Sequence, residues 1–210
     1  IDSTKTLTIN QVTAGGTLNF VRDTAIVGAG TLSTNATTLD VAMTGTSSAG
    51  DYIDDALVVA GSVTTINLSG GGEKSGGAIS TMTLTGSGTI GAVNSTYNGN
   101  LTISGLGWNT SNGATVTTGA NTVAVTTTVD DADVKDGVLK MVDTAGTDTL
   151  SMATTGTALG LVDITGFETI NFDIDSGADT TVNFRDVSGA TTVNWDGADA
   201  SDLSHNITVT

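Results

Sequence analysis

A four-residue phrase of Thr, an aliphatic residue, Asn and a large apolar residue recurs five times along this 210-residue chain. Its copies are TLNF at 17–20, TINL at 65–68, TINF at 169–172, TVNF at 181–184 and TVNW at 192–195. Small polar and large apolar residues alternate in every copy, so a strand built from the phrase has one buried face and one wet face. Repetition of a single strand phrase is typical of a structural scaffold and gives no sign of a reaction centre.

The composition predicts an all-β protein with a thin aliphatic core. Hydrophobic residues make up 38% of the chain but aromatic residues only 4%, and there are 28 Gly and no Pro. The abundant Thr and Val favour strands, because β-branched side chains fit a pleated surface. The clearest strand patterns lie at residues 6–10, 17–21, 38–43, 64–69, 81–85, 101–104, 121–129, 137–143, 149–153, 168–174, 180–184, 191–195 and 206–210.

Strand spacing late in the chain fits two architectures. Phe172 and Phe184 are 12 positions apart, and Phe184 and Trp195 are 11 apart. Either a β-sandwich of hairpins or a β-solenoid with several strands in each coil gives this spacing. The near-identical phrases favour a parallel β-solenoid (β-helix), because equivalent strands then stack in ladders of like residues. In such ladders Ile170, Val182 and Val193 point inward.

Two Asn-Gly pairs favour antiparallel pairing in one region. Asn98-Gly99 and Asn112-Gly113 are the dipeptides that most often form the tight turn of a β-hairpin. They predict an antiparallel excursion near residues 97–116.

The charge of the chain is strongly negative and unevenly distributed. With 22 acidic and 6 basic residues the net charge is −16, which disfavours nucleic acid and anionic lipid as partners and attracts cations. Residues 1–129 have seven acidic and three basic residues, and residues 130–210 have fifteen and three. The change predicts a weakly charged β-repeat region at 1–129 and an Asp-rich one at 130–210, or one continuous domain over 1–210.

Clustered aspartates are the candidate metal ligands. Calcium takes six to eight oxygen ligands, and alternate loop residues can direct carboxylates at one centre. Three clusters fit this chemistry: Asp131, Asp133 and Asp136; Asp173, Asp175 and Asp179; and Asp196, Asp199 and Asp202. A weaker fourth comprises Asp51, Asp54 and Asp55. The alternative is that these are solvated turns. Because so many carboxylates in one third of a fold repel one another, the sequence predicts that Ca²⁺ neutralises some of them.

Catalytic, thiol and membrane signals are weak. His205 is the only histidine and lies in a polar turn, so neither a His-rich metal site nor a catalytic triad is predicted, and we expect no enzyme activity. The chain has no Cys, and no apolar run approaches the roughly 20 residues of a membrane helix. Trp108 lies in a loop pattern and is the candidate exposed aromatic, whereas Trp195 takes the apolar place of the repeated phrase and is assigned to the core.

The segment LVDITGFETINF at 161–172, followed by Thr-, Val- and Asn-rich repeats, resembles bacterial S-layer proteins exported by type I secretion. It is also similar to RTX-type surface proteins and large adhesins. The specific motif covers residues 148–195, and the acidic, Cys-free composition is similar over the whole chain. The Gly-Gly-x-Gly-x-Asp calcium repeats of that family are absent, so the Asp clusters are not carried over from it.

The resemblance implies a calcium-dependent β-rich module in a two-dimensional lattice outside the bacterial cell. We therefore expect a secreted structural module on the cell surface, cut from a longer protein, that self-assembles with copies of itself. Other parts of the parent chain would contact cell-surface polysaccharide. The alternative function is an adhesin module that binds a host protein or glycan through loops such as residues 98–112.

Overall fold

The structure, a computed structural model, describes about three fifths of the chain. The described residues are 6–9, 17–22, 30–34, 36–43, 56–70, 81–86, 89–97, 99–104, 107–108, 114–119, 122–129, 139–154, 158–161, 163–174, 180–183, 186–196 and 207–209. Every helix or strand in these ranges is a β-strand. The predicted all-β class is therefore confirmed.

Two large parallel sheets, here called sheet A and sheet B, carry most of the strands. Sheet A has the order β1 (Thr6–Ile9), β3 (Gly30–Thr34), β5 (Ala56–Gly61), β7 (Thr81–Gly86), β10 (Asn100–Ser104), β13 (Thr122–Val129), β15 (Thr149–Thr154), β18 (Thr169–Ile174) and β21 (Thr192–Asp196). Sheet B has the order β2 (Thr17–Arg22), β4 (Thr38–Met43), β6 (Thr65–Gly70), β9 (Ala92–Ser95), β12 (Ala114–Thr118), β14 (Leu139–Asp143), β17 (Asp163–Thr165) and β20 (Val187–Ser188).

Two smaller parallel sheets complete the described strands. One contains β16 (Ala158–Leu161), β19 (Thr180–Asn183) and β22 (Ile207–Val209), and the other pairs β8 (Thr89–Ile90) with β11 (Gly107–Trp108). β8, β11, β16 and β19 each lie between a strand of sheet A and the next strand of sheet B, and β22 follows the last strand of sheet A.

The chain winds as a parallel β-solenoid. It alternates between sheet A and sheet B, and each strand pairs in parallel with the strand of the next coil. Thr38 pairs with Thr65, 27 positions later, and Thr149 pairs with Thr169, 20 positions later. A parallel pair needs a long crossover, and here the crossover is the rest of the coil. The solenoid prediction is confirmed, and the β-sandwich alternative is wrong.

The core between sheets A and B consists of columns of aliphatic side chains. In sheet B one inward column runs through six fully buried residues at successive coils: Leu39, Ile66, Val93, Val116, Met141 and Ile164. In sheet A a matching column runs through Met82, Leu101, Val123, Leu150 and Ile170. Alternation within each strand thus becomes a continuous core when the coils stack.

The spacing of the repeated phrase corresponds to half a coil. The copies at 169–172 and 192–195 pair side by side in sheet A, 23 positions apart, whereas the copy at 181–184 begins in β19 of the three-stranded sheet. Ile170 is buried and Val193 is partly buried against the core, as predicted. The side chain of Val182 lies outside the described residues.

The antiparallel excursion predicted near residues 97–116 is wrong for the strands that the structure describes there. β10, β11 and β12 pair only in parallel. β9 belongs to sheet B and the next strand, β10, to sheet A, so these two strands do not pair with each other. Tyr97, which lies between them in the sequence, is fully buried, and a Cβ atom on Gly99 would lie 2.5 Å from its ring.

Both large sheets continue on either side of the charge change at residue 130. β13 pairs with β15 in sheet A, and β12 pairs with β14 in sheet B. The division into regions 1–129 and 130–210 stays a prediction.

Candidate functional site

Most of the predicted calcium ligands lie outside the described residues. This holds for Asp131, Asp133, Asp136, Asp175, Asp179, Asp199 and Asp202, and for the weaker cluster of Asp51, Asp54 and Asp55. Asp173 in β18 and Asp196 in β21 are described, and they are register partners in sheet A. Neighbouring strands lie about 4.8 Å apart, so the backbones of one residue from each of two predicted clusters are adjacent at this rung.

The described ranges contain no group of three or more His, Asp or Glu residues arranged to hold a metal ion. His205 lies outside them, and of Trp108 only the backbone, in β11, is described. A metal role for the Asp clusters therefore stays a prediction.

A ladder of polar side chains runs along the outer face of sheet B. Asn67 Nδ2 donates to Asp40 Oδ1 at 2.6 Å, and Asn94 Nδ2 donates to Asn67 Oδ1 at 2.8 Å. Farther along the same sheet, Lys140 Nζ forms an ion pair with Asp163 Oδ2 at 3.0 Å. Because parallel pairing places the same residue of each phrase on the next rung, the amides join one coil to the next.

Sheet A carries an equivalent ladder near its last described strand. Asn194 Nδ2 donates to Asn171 Oδ1 at 2.8 Å, and Asn171 Nδ2 donates to Ser151 Oγ at 3.3 Å. On the inner face of the same strands, the rings of Phe172 and Trp195 stack with centroids 5.1 Å apart. Trp195 is partly buried against the core, in agreement with its assigned role.

The segment GFETINF at 166–172 forms a corner and the strand that follows it. Gly166 has φ +92° and Phe167 is fully buried in the corner between β17 and β18. Glu168 Oε2 accepts a hydrogen bond of 2.8 Å from the backbone N–H of Asp148 in the preceding coil. The motif on which the family resemblance depends thus holds two adjacent coils together.

Two buried aspartates lie at the corner below this motif. Asp143 ends β14 and Asp148 immediately precedes β15, and the five-residue segment 144–148 joins the two sheets. Asp143 is 8% exposed and Asp148 is 3% exposed. Gly146 in this corner has φ +117°, and a Cβ atom there would lie 2.5 Å from Asp148 Oδ2. Glycine therefore lets the corner close directly over the carboxyl group.

Neither carboxyl group is fully satisfied. Asp143 Oδ1 and Asp148 Oδ2 are buried and have no hydrogen-bond partner. Burial raises the pKa of Asp148 to about 7, with further contributions from the charge of Asp143, a hydrogen bond between the two carboxyl groups and the charge of Glu168. A buried ionised carboxylate is costly, so these groups favour binding a proton or another cation.

The sequence contains a signal for one of these two residues. In the strand LKMVD, Leu139 and Met141 are buried, and alternation places Asp143 on the same inward face. Its register partner Thr118 is also fully buried, which makes the inward position polar in two successive coils. The burial of Asp148 has no such signal, because it depends on how segment 144–148 folds back.

Among the described residues, no helix is long and apolar enough to cross a membrane. The β-solenoid fold and the polar ladders on the outer faces of sheets A and B are the features from which a function can be proposed. No protein-family model, curated protein or solved structure matches this chain.

Proposed function

We propose that this chain is a structural module of a secreted bacterial surface-layer protein that self-assembles into a calcium-dependent lattice on the cell surface. The observation that carries the proposal is the in-register solenoid, whose outer face in sheet B carries polar residues at equivalent positions of successive coils. Asp40, Asn67 and Asn94 form such a series. A stack of this kind gives a stiff body with a repetitive surface, which suits contacts between identical copies.

The family resemblance supports the location and the partners. The motif at 166–172 is the part of the chain most similar to S-layer proteins, and in this solenoid it forms a corner and a core strand. We therefore place the module outside the cell, with copies of itself as the main partner. Contact with cell-surface polysaccharide is assigned to other parts of the parent chain. The proposed role is structural and not enzymatic.

Calcium is the proposed cofactor because a divalent cation would offset the negative charge that is concentrated in one part of this chain. Fifteen of the 22 acidic residues lie in residues 130–210. Asp173 and Asp196, one residue from each of two predicted clusters, are register partners in sheet A. Carboxylate oxygens are the ligands that calcium prefers, and bound ions would offset the repulsion either within one module or between copies.

The first test is thermal unfolding of the 210-residue chain with excess EDTA and with 10 mM CaCl₂, followed by light scattering. With a Kd of about 0.1 mM, typical of extracellular calcium modules, the gain is about 2.7 kcal/mol, or a Tm rise of roughly 5–10 °C. We also expect calcium-dependent growth of particle size. Magnesium at the same concentration controls for general charge screening.

A matched pair of variants assigns the effect to the predicted sites. Asp173→Asn with Asp196→Asn should reduce the calcium-induced Tm rise, whereas Asp186→Asn, at an exposed position, should leave it unchanged. A chain that stays monomeric and is indifferent to calcium in both measurements would contradict the lattice proposal. That result would favour the adhesin alternative, to be followed by a binding screen against glycans and host proteins.

A further inference from the structure

The corner formed by Asp143, segment 144–148 and Glu168 contains two buried carboxyl groups whose hydrogen-bonding capacity the surrounding residues do not satisfy. Two carboxyl groups are more than nine-tenths buried, and each has an oxygen atom without a hydrogen-bond partner. Two ionised carboxylates cannot bond to each other, because neither has a donor. Protonation of one creates an O–H that can donate to the other.

The charges near Asp143 and Asp148 disfavour ionisation of both carboxyl groups at the same time. Glu168 faces the pair from the corner between β17 and β18, and its side chain accepts the Asp148 N–H. Lys140, on the same strand as Asp143, is paired with Asp163 on the outer face of sheet B. From the neighbouring strand β12 the register partner of Asp143 is the neutral Thr118. Among the described residues, no basic side chain forms an ion pair with Asp143 or Asp148.

The backbone holds the two groups in place. Asp143 is fixed at the inward position of β14, and a Cβ atom on Gly166 would lie 2.5 Å from its carbonyl oxygen. Asp148 is fixed by its N–H bond to Glu168 and by its own carbonyl, which accepts the N–H of Thr169 at 3.2 Å. These contacts hold the backbone of both residues at the corner, where both side chains are buried.

We propose that Asp143 and Asp148 share a single proton in the folded chain, so that the corner between sheets A and B is a built-in pH sensor. The corner is closed while the proton is present and loosens when it is lost. This inference is independent of the proposed surface role, since it depends only on the buried pair.

The direction of the effect follows from the two states. In the unfolded chain Asp148 has its ordinary pKa of 3.8, whereas the folded pair keeps its proton up to about pH 7. The stabilisation is therefore complete below the ordinary pKa and is lost as pH rises through neutrality. Between pH 5 and pH 8 the proton contributes roughly a 10- to 100-fold change in the unfolding equilibrium constant.

The test is urea unfolding of the 210-residue chain between pH 5 and pH 9 in EDTA, with D148N as the variant. Asparagine has nearly the same shape as a protonated aspartate and donates to Asp143 at every pH. We expect D148N to lose the 10- to 100-fold pH dependence of the wild type and to be the more stable of the two at pH 8. D163N, at an outer position where the aspartate side chain is 26% exposed, is the control that should keep the wild-type slope.

Two further measurements complete the test. D143N should flatten the dependence of stability on pH as D148N does. If D148N does not fold, D143N takes its place in the test. Infrared spectroscopy of the wild type at pH 6 should show a protonated carboxyl band that disappears by pH 9. Parallel pH profiles of the wild type and both variants would overturn the proposal. The proposal would also be overturned if millimolar calcium restored the stability of the wild type at pH 8, since the pair would then hold a metal cation.

Discussion

Gly166 adopts a φ of +92° at the corner between β17 and β18, a conformation that residues with a Cβ atom rarely adopt. The space at this corner is also restricted, because a Cβ atom would lie 2.5 Å from the carbonyl oxygen of Asp143. The glycine of the GFETINF segment is thus required both by its backbone conformation and by its contact with the preceding coil.

Gly166→Ala is expected to destabilise the chain by about 1–3 kcal/mol, because the substitution combines a strained φ with a backbone clash. The measurement is the midpoint of urea unfolding at pH 6. Gly119→Ala is the control, since Gly119 directly follows β12 of the same sheet and a Cβ atom there meets only Thr144 Oγ1 at 3.4 Å among the described residues. Equal losses in the two variants would contradict this account of the corner.

Residue-level sequence patterns predict part of this site. The alternation of β14 places Asp143 inward, beside buried Leu139 and Met141, although an inward aspartate is unusual. Asp148 and Glu168 meet because two successive coils stack with a 20-residue offset. That offset depends on the length of the intervening loops, which no local pattern reveals.

At the level of strands, the amide ladders explain why the repeated phrase contains Asn. The third position of the phrase faces outward, and parallel stacking brings Asn67 beside Asn94 at the same register. Each amide can donate to the coil below and accept from the coil above. Asn therefore favours this register over a shift by one residue, which would bury the amides.

Asn67→Ala is expected to destabilise the chain more than Asn94→Ala. Among the described residues, Asn67 takes part in two side-chain bonds of the ladder, with Asp40 and with Asn94, whereas Asn94 takes part in one, with Asn67. With about 0.5–1.5 kcal/mol for each bond, the first variant should lose about twice as much stability. Urea unfolding midpoints at unchanged m-value measure the difference. A larger loss for Asn94→Ala would contradict a continuous ladder.

The strands that the sequence predicts are those with strong alternation. All thirteen predicted segments overlap described strands, among them β6, β15 and β18. The missed strands include very short ones, such as β8 and β20, and ones rich in Gly and Ala, such as β5 and β16, but also β12, whose sequence ATVTT alternates. The short and the Gly- and Ala-rich segments are strands because the coils on either side supply hydrogen-bond partners, and this tertiary effect outweighs weak propensity.

For the whole molecule, coil stacking combines a thin core with a large repetitive surface. The inward columns of sheets A and B bury nearly all their aliphatic side chains, while Thr, Asn and Asp cover the outer faces. A net charge of −16 on such a body resists close association unless cations are present. The calcium dependence proposed for lattice assembly is the expected consequence at this scale.

Parallel stacking in register underlies both the Asp143–Asp148 corner and the repetitive outer surface. Engineered cysteine pairs can test this stacking, because the chain has no native Cys. Asn67, Asn94 and Thr117 occupy successive rungs of sheet B. One rung is about 4.8 Å, within reach of a disulfide, and two rungs are roughly 9.6 Å, beyond it.

The measurement is peptide mass spectrometry after oxidation of two double variants at low protein concentration. Asn67→Cys with Asn94→Cys should give an intramolecular disulfide in high yield, and Asn67→Cys with Thr117→Cys should give almost none. Efficient cross-linking of the second pair, or failure of the first in a chain that still folds, would contradict the parallel solenoid.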